Sequence, residues 1–174
     1  MQITFTKGRG EDWIAIVRDD GSRAETRFPH KGPVPHDAVH LFIEVGFAVN
    51  HGFWGMVGGG VHPEQLLEIA KAAGHASASR AREPDAHIVE LLQAERLVEV
   101  FEADLWSGSH GDEAGLLELG QVACAYSHVP LPDVPDGSVA EIQLAIADFS
   151  QGWAAASTGH IAEFSWPLTL AYRR

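Results

Sequence analysis

The segment PHDAVHLFIEVGFAV, residues 35–49, constrains the fold most, because as a helix it is apolar on almost every side. On a wheel at about 100° per residue, three polar side chains follow one line. His36 starts this line, His40 falls about 40° away, and Glu44 falls about 80° away. A helix that is apolar almost all round is normally buried, so we predict a core helix from Pro35 to about Asn50.

The polar line on this helix must find partners inside the protein, because unpaired burial of a carboxylate costs several kcal/mol. Three arrangements stay open: a bound metal ion, a structural hydrogen-bond network, and a metal-free cleft in which His and Glu do acid–base chemistry. Two His residues at this spacing lie about 6 Å apart along the axis, which suits one zinc ion. We therefore take His36, His40 and Glu44 as candidate ligands for zinc or another divalent metal, with no organic cofactor.

Helix geometry limits how these three residues act together. His36 and Glu44 are about 12 Å apart along the axis, so we expect two of the three to share an ion with ligands from elsewhere. The candidates for those further ligands are His51, His62, Glu95, Glu99 and Glu102.

The pentapeptide HDAVH, residues 36–40, resembles the His-Glu-x-x-His motif of zincin metalloproteases. The resemblance implies that His36 and His40 bind zinc and that Asp37 is the general base, the candidate catalytic residue. Asp37 departs from the motif because its side chain is one methylene shorter than Glu, and it also suits the first turn of a helix electrostatically. The longer segment is similar to small bacterial proteins with a Pro-His-Asp-x-x-His-x-x-x-Glu core, a resemblance that implies no activity.

Composition indicates a folded, acidic protein. The chain has 174 residues, 45% hydrophobic and 21% charged, and a formal net charge of −12. This length predicts one domain, residues 1–174, large enough for a substantial core. The negative charge repels phosphate backbones and anionic lipid heads, so we expect no nucleic-acid or membrane partner. The sequence leaves a homodimer open and does not identify a small-molecule ligand.

The lone cysteine, Cys124, excludes an internal disulfide and a multi-Cys zinc site. Its apolar surroundings favour a small buried side chain over a nucleophile. The amino terminus lacks the pattern of a signal peptide, and no apolar stretch approaches the length of a membrane span. We therefore expect a cytoplasmic protein.

Residue periodicity predicts an α+β fold. The segments QITFT, WIAIVR and RAETRF alternate and are separated by turn residues, so we predict an antiparallel meander of three strands. About five helices follow, with starts predicted near Pro35, Pro63, Pro84, Asp112 and Ser138. The segment at residues 51–60 is either a short helix or a turn, and residues 75–83 are expected to form an exposed mobile loop. GHIAEFSWPL returns to strand periodicity and should join the amino-terminal sheet, since a lone strand leaves its backbone unpaired.

Two functional hypotheses follow from these patterns. The first is a metal-dependent hydrolase centred on the helix at residues 35–50, in which Asp37 or Glu44 accepts a proton from metal-bound water. The second is a non-enzymatic structural or interaction domain in which the same His and carboxylate groups form a buried hydrogen-bond network.

Overall fold

The computed structural model describes residues 1–30, 32–74, 84–109 and 111–167 of the chain. The strands in these ranges are β1 (Gln2–Thr6), β2 (Glu11–Val17), β3 (Arg23–Pro29) and β4 (Ile161–Ser165). The helices are α1 (His36–Gly46), α2 (Phe53–Gly58), α3 (Pro63–Gly74), α4 (Val89–Ser107), α5 (Glu113–Tyr126) and α6 (Ser138–Ala155).

The four strands form one antiparallel sheet in the order β3-β2-β1-β4. The predicted amino-terminal meander is confirmed, and so is the pairing of the carboxy-terminal strand with it. In the centre of the sheet, Ile3 lies opposite Ile16 on one side and opposite Phe164 on the other. The predicted α+β class is therefore correct.

Side chains alternate between the two faces of the sheet. Ile3, Phe5 and Ile14 point to the helices and are almost fully buried. On the opposite face Trp13 is 44% exposed, and the Arg27 guanidinium lies 3.8 Å from the centre of its ring. One face of the sheet is therefore buried against the helices and the other is exposed to solvent, as expected of an antiparallel sheet backed by helices.

Helix α1 lies at the centre of the helical layer and is buried on both sides. Its Leu41 packs in the same hydrophobic cluster as residues of the sheet, such as Ile14. Its Ile43 packs in a second cluster with Leu97 of α4 and Ile142 of α6. The predicted burial of this helix is confirmed: Asp37, His40 and Glu44 lie in the interior, and His36 at its start is partly exposed.

Two helix boundaries differ from expectation, and one open segment is resolved. Helix α1 ends at Gly46, before Asn50, because Ala48 takes a left-handed conformation (φ 53°). Helix α4 begins at Val89, after a single 3₁₀ turn at Ala86–Ile88, whereas the sequence predicts a start near Pro84. The segment that the sequence left open after α1 does contain a short helix, α2.

Other sequence expectations concern Cys124, the loop at 75–83 and membrane segments. Cys124 is buried, and burial raises the pKa of its thiol to about 11, which disfavours a thiolate nucleophile. Residues 75–83 lie outside the described residues. Within the described ranges, every helix is too short or too polar to cross a bilayer.

Close packing between α1 and α6 gives a first prediction. A Cβ at Gly46 would lie 2.4 Å from two side-chain carbons of Ile142, so Gly46→Ala should lower the free energy of unfolding by about 1–3 kcal/mol. Chemical denaturation measures the change. Gly152→Ala in α6 is the control, because its methyl group meets nothing within 4 Å and should stabilise by up to about 1 kcal/mol. Equal effects of the two substitutions would contradict the packing described.

Candidate metal centre

Glu44 is the innermost member of the polar line on α1, and its carboxylate is occupied by hydrogen bonds. The backbone N–H of Trp54 lies 3.1 Å from both carboxylate oxygens, and the N–H of Gly55 lies 3.3 Å from one of them. These amides belong to the first turn of α2, which has no helical acceptors for them. A Cβ at Gly52 would lie only 2.5 Å from the carboxyl carbon of Glu44, so this approach requires glycine.

The third nitrogen near Glu44 is Nδ1 of His40, 3.2 Å from Oε1. Burial raises the pKa of the Glu44 carboxyl, although the hydrogen bonds from His40, Trp54 and Gly55 oppose this effect. With Glu44 ionised, the carboxylate only accepts hydrogen bonds, and this contact then places the ring proton of a neutral His40 on Nδ1. Nε2 is then left with a lone pair. It is buried, and no described residue forms a hydrogen bond with it. A buried acceptor without a partner is costly, so this atom requires a proton or a cation.

Helix α4 crosses α1 and places carboxylates against the two imidazoles. Glu95 Oε1 lies 3.7 Å from His40 Nε2, and Glu95 Oε2 lies 3.6 Å from His36 Nε2. Glu102, two helical turns along α4, lies 3.1 Å from the other nitrogen of His36, Nδ1. His40 is therefore flanked by Glu44 and Glu95, and His36 by Glu102 and Glu95.

His36, His40 and Glu95 form a group that could hold a metal ion. One ligand atom from each lies within 4.8 Å of the others. In a tetrahedral zinc site with bonds of about 2.0–2.1 Å, neighbouring ligand atoms are roughly 3.3–3.5 Å apart. The two nitrogen-to-oxygen distances of 3.6 and 3.7 Å are only slightly longer. These two distances end at different oxygens of Glu95, and the three ligand atoms lie within 4.8 Å of one another, so the side chains would have to close around an ion to coordinate it.

Without a metal, the electrostatics of the group are those of a partly buried ion pair. Burial alone would lower the pKa of His36, but hydrogen bonds to Glu102 and Glu95 outweigh it and raise that pKa to about 10. Burial alone would raise the pKa of Glu95, but the His36 hydrogen bond and the nearby positive charges lower it to about 2. In the metal-free protein at neutral pH, His36 is therefore protonated.

A cavity of about 560 Å³ adjoins the group. Its polar wall includes His36, Asp37, Glu95 and Glu102. Asp37 is 5% exposed, and burial raises the pKa of its carboxyl above the usual range. Its backbone carbonyl accepts a hydrogen bond from the indole N–H of Trp54, which fixes the start of α1 against α2.

The candidate residues predicted from the sequence have different positions. His36 and His40 lie together, while Glu44 lies on the Nδ1 side of His40, away from Glu95. Of the further candidates, Glu95 completes the group, Glu102 bonds His36, and Glu99 lines the cavity. His51 pairs with Glu90, and the exposed His62 accepts a hydrogen bond from the Glu64 amide, so neither belongs to this group.

A second polar pair on the cavity wall was not predicted. Asp12 of β2 is 4% exposed and lies 2.7 Å from Nε2 of His30, which follows β3. The alternation of residues in β2 could have predicted that Asp12 is buried, because Asp12 lies on the same face of the strand as Ile14 and Ile16. A charged residue in such a position requires a partner.

Comparisons of the chain with protein families, with curated proteins and with solved structures gave no match. The functional interpretation of the site therefore depends on its geometry.

The ion pair in the metal-free protein predicts a pH dependence of stability. The pKa of His36 is raised from 6.5 to about 10. The stabilisation of the folded state by protonated His36 is therefore complete below pH 6.5 and is lost as pH rises towards about 10. The pKa of Glu95 is lowered from 4.5 to about 2. The stabilisation of the folded state by ionised Glu95 is therefore present above pH 4.5 and is lost as pH falls towards about 2. Both residues stabilise the folded state fully between pH 4.5 and 6.5.

We expect the stability difference between wild type and His36→Gln, measured by urea denaturation in the presence of a chelator, to be largest in that window and to shrink above it. The difference should stay modest because the His36 side chain is 35% exposed and partly screened by solvent. A difference that grows from pH 7 to 9 would contradict the assigned pairing.

Proposed function

We propose that the protein binds one divalent metal ion, most favourably zinc, through Nε2 of His36, Nε2 of His40 and the carboxylate of Glu95. The observation that carries this proposal is the buried Nε2 of His40, which lacks a hydrogen-bond partner among the described residues and lies beside a carboxylate. The lone pair on Nε2 of His40 and the carboxylate oxygen of Glu95 repel each other, and a cation between them would attract both.

The ligand set favours zinc because two imidazoles and one glutamate are a common set for catalytic zinc. Such sites use three protein ligands and leave a fourth position for water or substrate. Two His and one carboxylate also suit ferrous iron, so metal analysis decides between these ions. We propose Glu95 as the third ligand in place of Glu44, because the oxygens of Glu44 already accept hydrogen bonds from Trp54, Gly55 and His40.

The remaining carboxylates support a metal-binding arrangement of both imidazoles. Nδ1 of His40 contacts Glu44, and Nδ1 of His36 contacts Glu102. In metal sites the nitrogen of His that does not bind the ion typically donates to a carboxylate, which fixes the tautomer and makes the ligand more basic. Both His residues of this group have that partner.

We propose further that the centre is hydrolytic. The open position of the ion would face the cavity, since His36 and Glu95 both line it. A divalent ion there would act as a Lewis acid and acidify water. Asp37 lines the same wall, and its raised pKa suits a group that accepts a proton and passes it on.

A structural role is the second candidate function. It is favoured by His36, whose two nitrogens already face Glu95 and Glu102 without any ion. In that case the group would connect α1 to α4 as a salt-bridged network and would bind no metal.

Metal analysis separates the two functions. Protein purified without a chelator or a His-tag should contain about one zinc per chain by elemental analysis. His40→Ala and Glu95→Gln should each reduce this to background, because each removes one of only three ligands. His51→Ala is the matched control: this His also pairs with a glutamate, Glu90, but lies outside the group. Metal content that is low in wild type, or unaffected by His40→Ala, would reject the metal centre.

Glu44 allows a sharper test of the ligand assignment. Glu44→Gln keeps the shape of the side chain but removes the charge that orients His40, so zinc affinity should fall about tenfold to a hundredfold while stoichiometry stays at one. Competition with a chromophoric chelator measures both quantities. If Glu44 were itself a ligand, the substitution should instead abolish binding as Glu95→Gln does.

A further inference from the structure

We propose that the cavity beside the metal centre takes a small molecule with an apolar body and a protonated amine, and that His30, supported by Asp12, receives the amine. This inference deepens the proposed function, because it names the ligand class of the same site. It depends on an independent part of the structure, the Asp12–His30 pair at the cavity wall.

The Asp12–His30 pair holds the imidazole of His30 in one orientation. Oδ1 of Asp12 accepts hydrogen bonds from the Gly8 amide, at 3.0 Å, and from Nε2 of His30, at 2.7 Å. Because an ionised carboxylate is only an acceptor, Nε2 of His30 carries a proton, and in the neutral form of the ring Nδ1 has a lone pair. The His30 side chain is 36% exposed, and no described residue bonds its Nδ1. This atom is therefore ready to accept a hydrogen bond from a ligand.

The cavity wall carries more negative than positive charge. Five carboxylates line it: Asp12, Asp37, Glu95, Glu99 and Glu102. Glu99 forms an ion pair with Arg96 at 2.8 Å, which leaves four. Lys71 also lines the cavity, but it is paired with Glu68 at 2.9 Å. A divalent ion would therefore supply two positive charges against those four carboxylates. A cationic ligand is therefore favoured over a carboxylate or a phosphate.

The rest of the cavity wall is apolar and fits a hydrophobic ligand body. The apolar side chains that line it include Phe28, Val34, Phe53, Leu67, Ala70 and Trp106. A volume of about 560 Å³ lies within the usual range of small-molecule sites, about 300–1,000 Å³. An amine at His30 would let the attached apolar group extend along these side chains towards the metal centre.

Three phenyl compounds of similar size and different charge test this proposal: benzylamine, benzyl alcohol and benzoate. Each is titrated into ¹⁵N-labelled protein, once metal-free and once zinc-loaded, and dissociation constants are taken from the shifts of amide signals. We expect benzylamine to bind about tenfold more tightly than benzoate in both states, with shifts near His30, Ala70 and Trp106. The metal-free titration excludes an affinity due only to coordination of the amine by zinc.

Two variants test the role of the pair. His30→Ala should weaken benzylamine about tenfold, the usual scale for a lost hydrogen bond to a charged group, and weaken benzyl alcohol less. Asp12→Asn keeps the shape of the buried side chain but removes its charge, so it should reduce the preference for benzylamine over benzyl alcohol. His51→Ala is again the matched control, since its His–Glu pair lies outside the cavity lining, and it should change neither constant.

The outcomes separate this proposal from the metal centre. Benzoate binding as tightly as benzylamine, benzylamine binding unchanged by His30→Ala, or no shift with any compound would overturn the proposal even if zinc is bound. Conversely, benzylamine binding that depends on His30 in a protein that binds no zinc would support the amine site and reject the proposed metal function alone.

Discussion

The imidazole of His40 lies between two carboxylates in the interior of the protein, and the other features of the site follow from satisfying it. Glu44 fixes one nitrogen, and the other faces Glu95 without a hydrogen bond. An imidazole in this position is stable only if positive charge lies beside it. In the metal-free protein the protonated His36 ring lies 5.0 Å from the His40 ring, and in the proposed function the charge would be that of the ion.

Three helices supply the groups that surround His40. Helix α1 supplies both imidazoles, α4 supplies the carboxylates that face them, and the first turn of α2 holds Glu44 in place with its amides. The sheet contributes indirectly, because the ends of β2 and β3 place Asp12 and His30 on the wall of the same cavity. Polar residues from distant parts of the chain therefore converge on one space between the sheet and the helices.

The sequence predicted the parts of this arrangement that depend on local periodicity. Burial of α1, the pairing of His36 with His40 on one line and the strand that completes the sheet all follow from residue spacing. The third member of the group did not follow, although Glu95 was among the candidates. Which acid of α4 meets the imidazoles depends on how two helices cross, and single-sequence periodicity does not contain that angle.

Asp12 was missed for a different reason. Its position on the inward face of β2 could be predicted from alternation with Ile14 and Ile16, but no sequence pattern indicated that His30 would be its partner. The two residues meet because β2 and β3 pair in a register that places Asp12 opposite Phe28. Register depends on tertiary pairing, so long-range contacts of this kind become visible only in three dimensions.

Gly52 illustrates how far the demands of such a centre extend beyond the groups that do chemistry. Any side chain there would displace Glu44, which would free the ring of His40 to rotate. In a set of related sequences, purifying selection on the centre would therefore act as strongly on this inconspicuous loop glycine as on the histidines. In a family profile built from such sequences, Gly52 would therefore be a conserved position, although glycine has no side chain that could bind a metal.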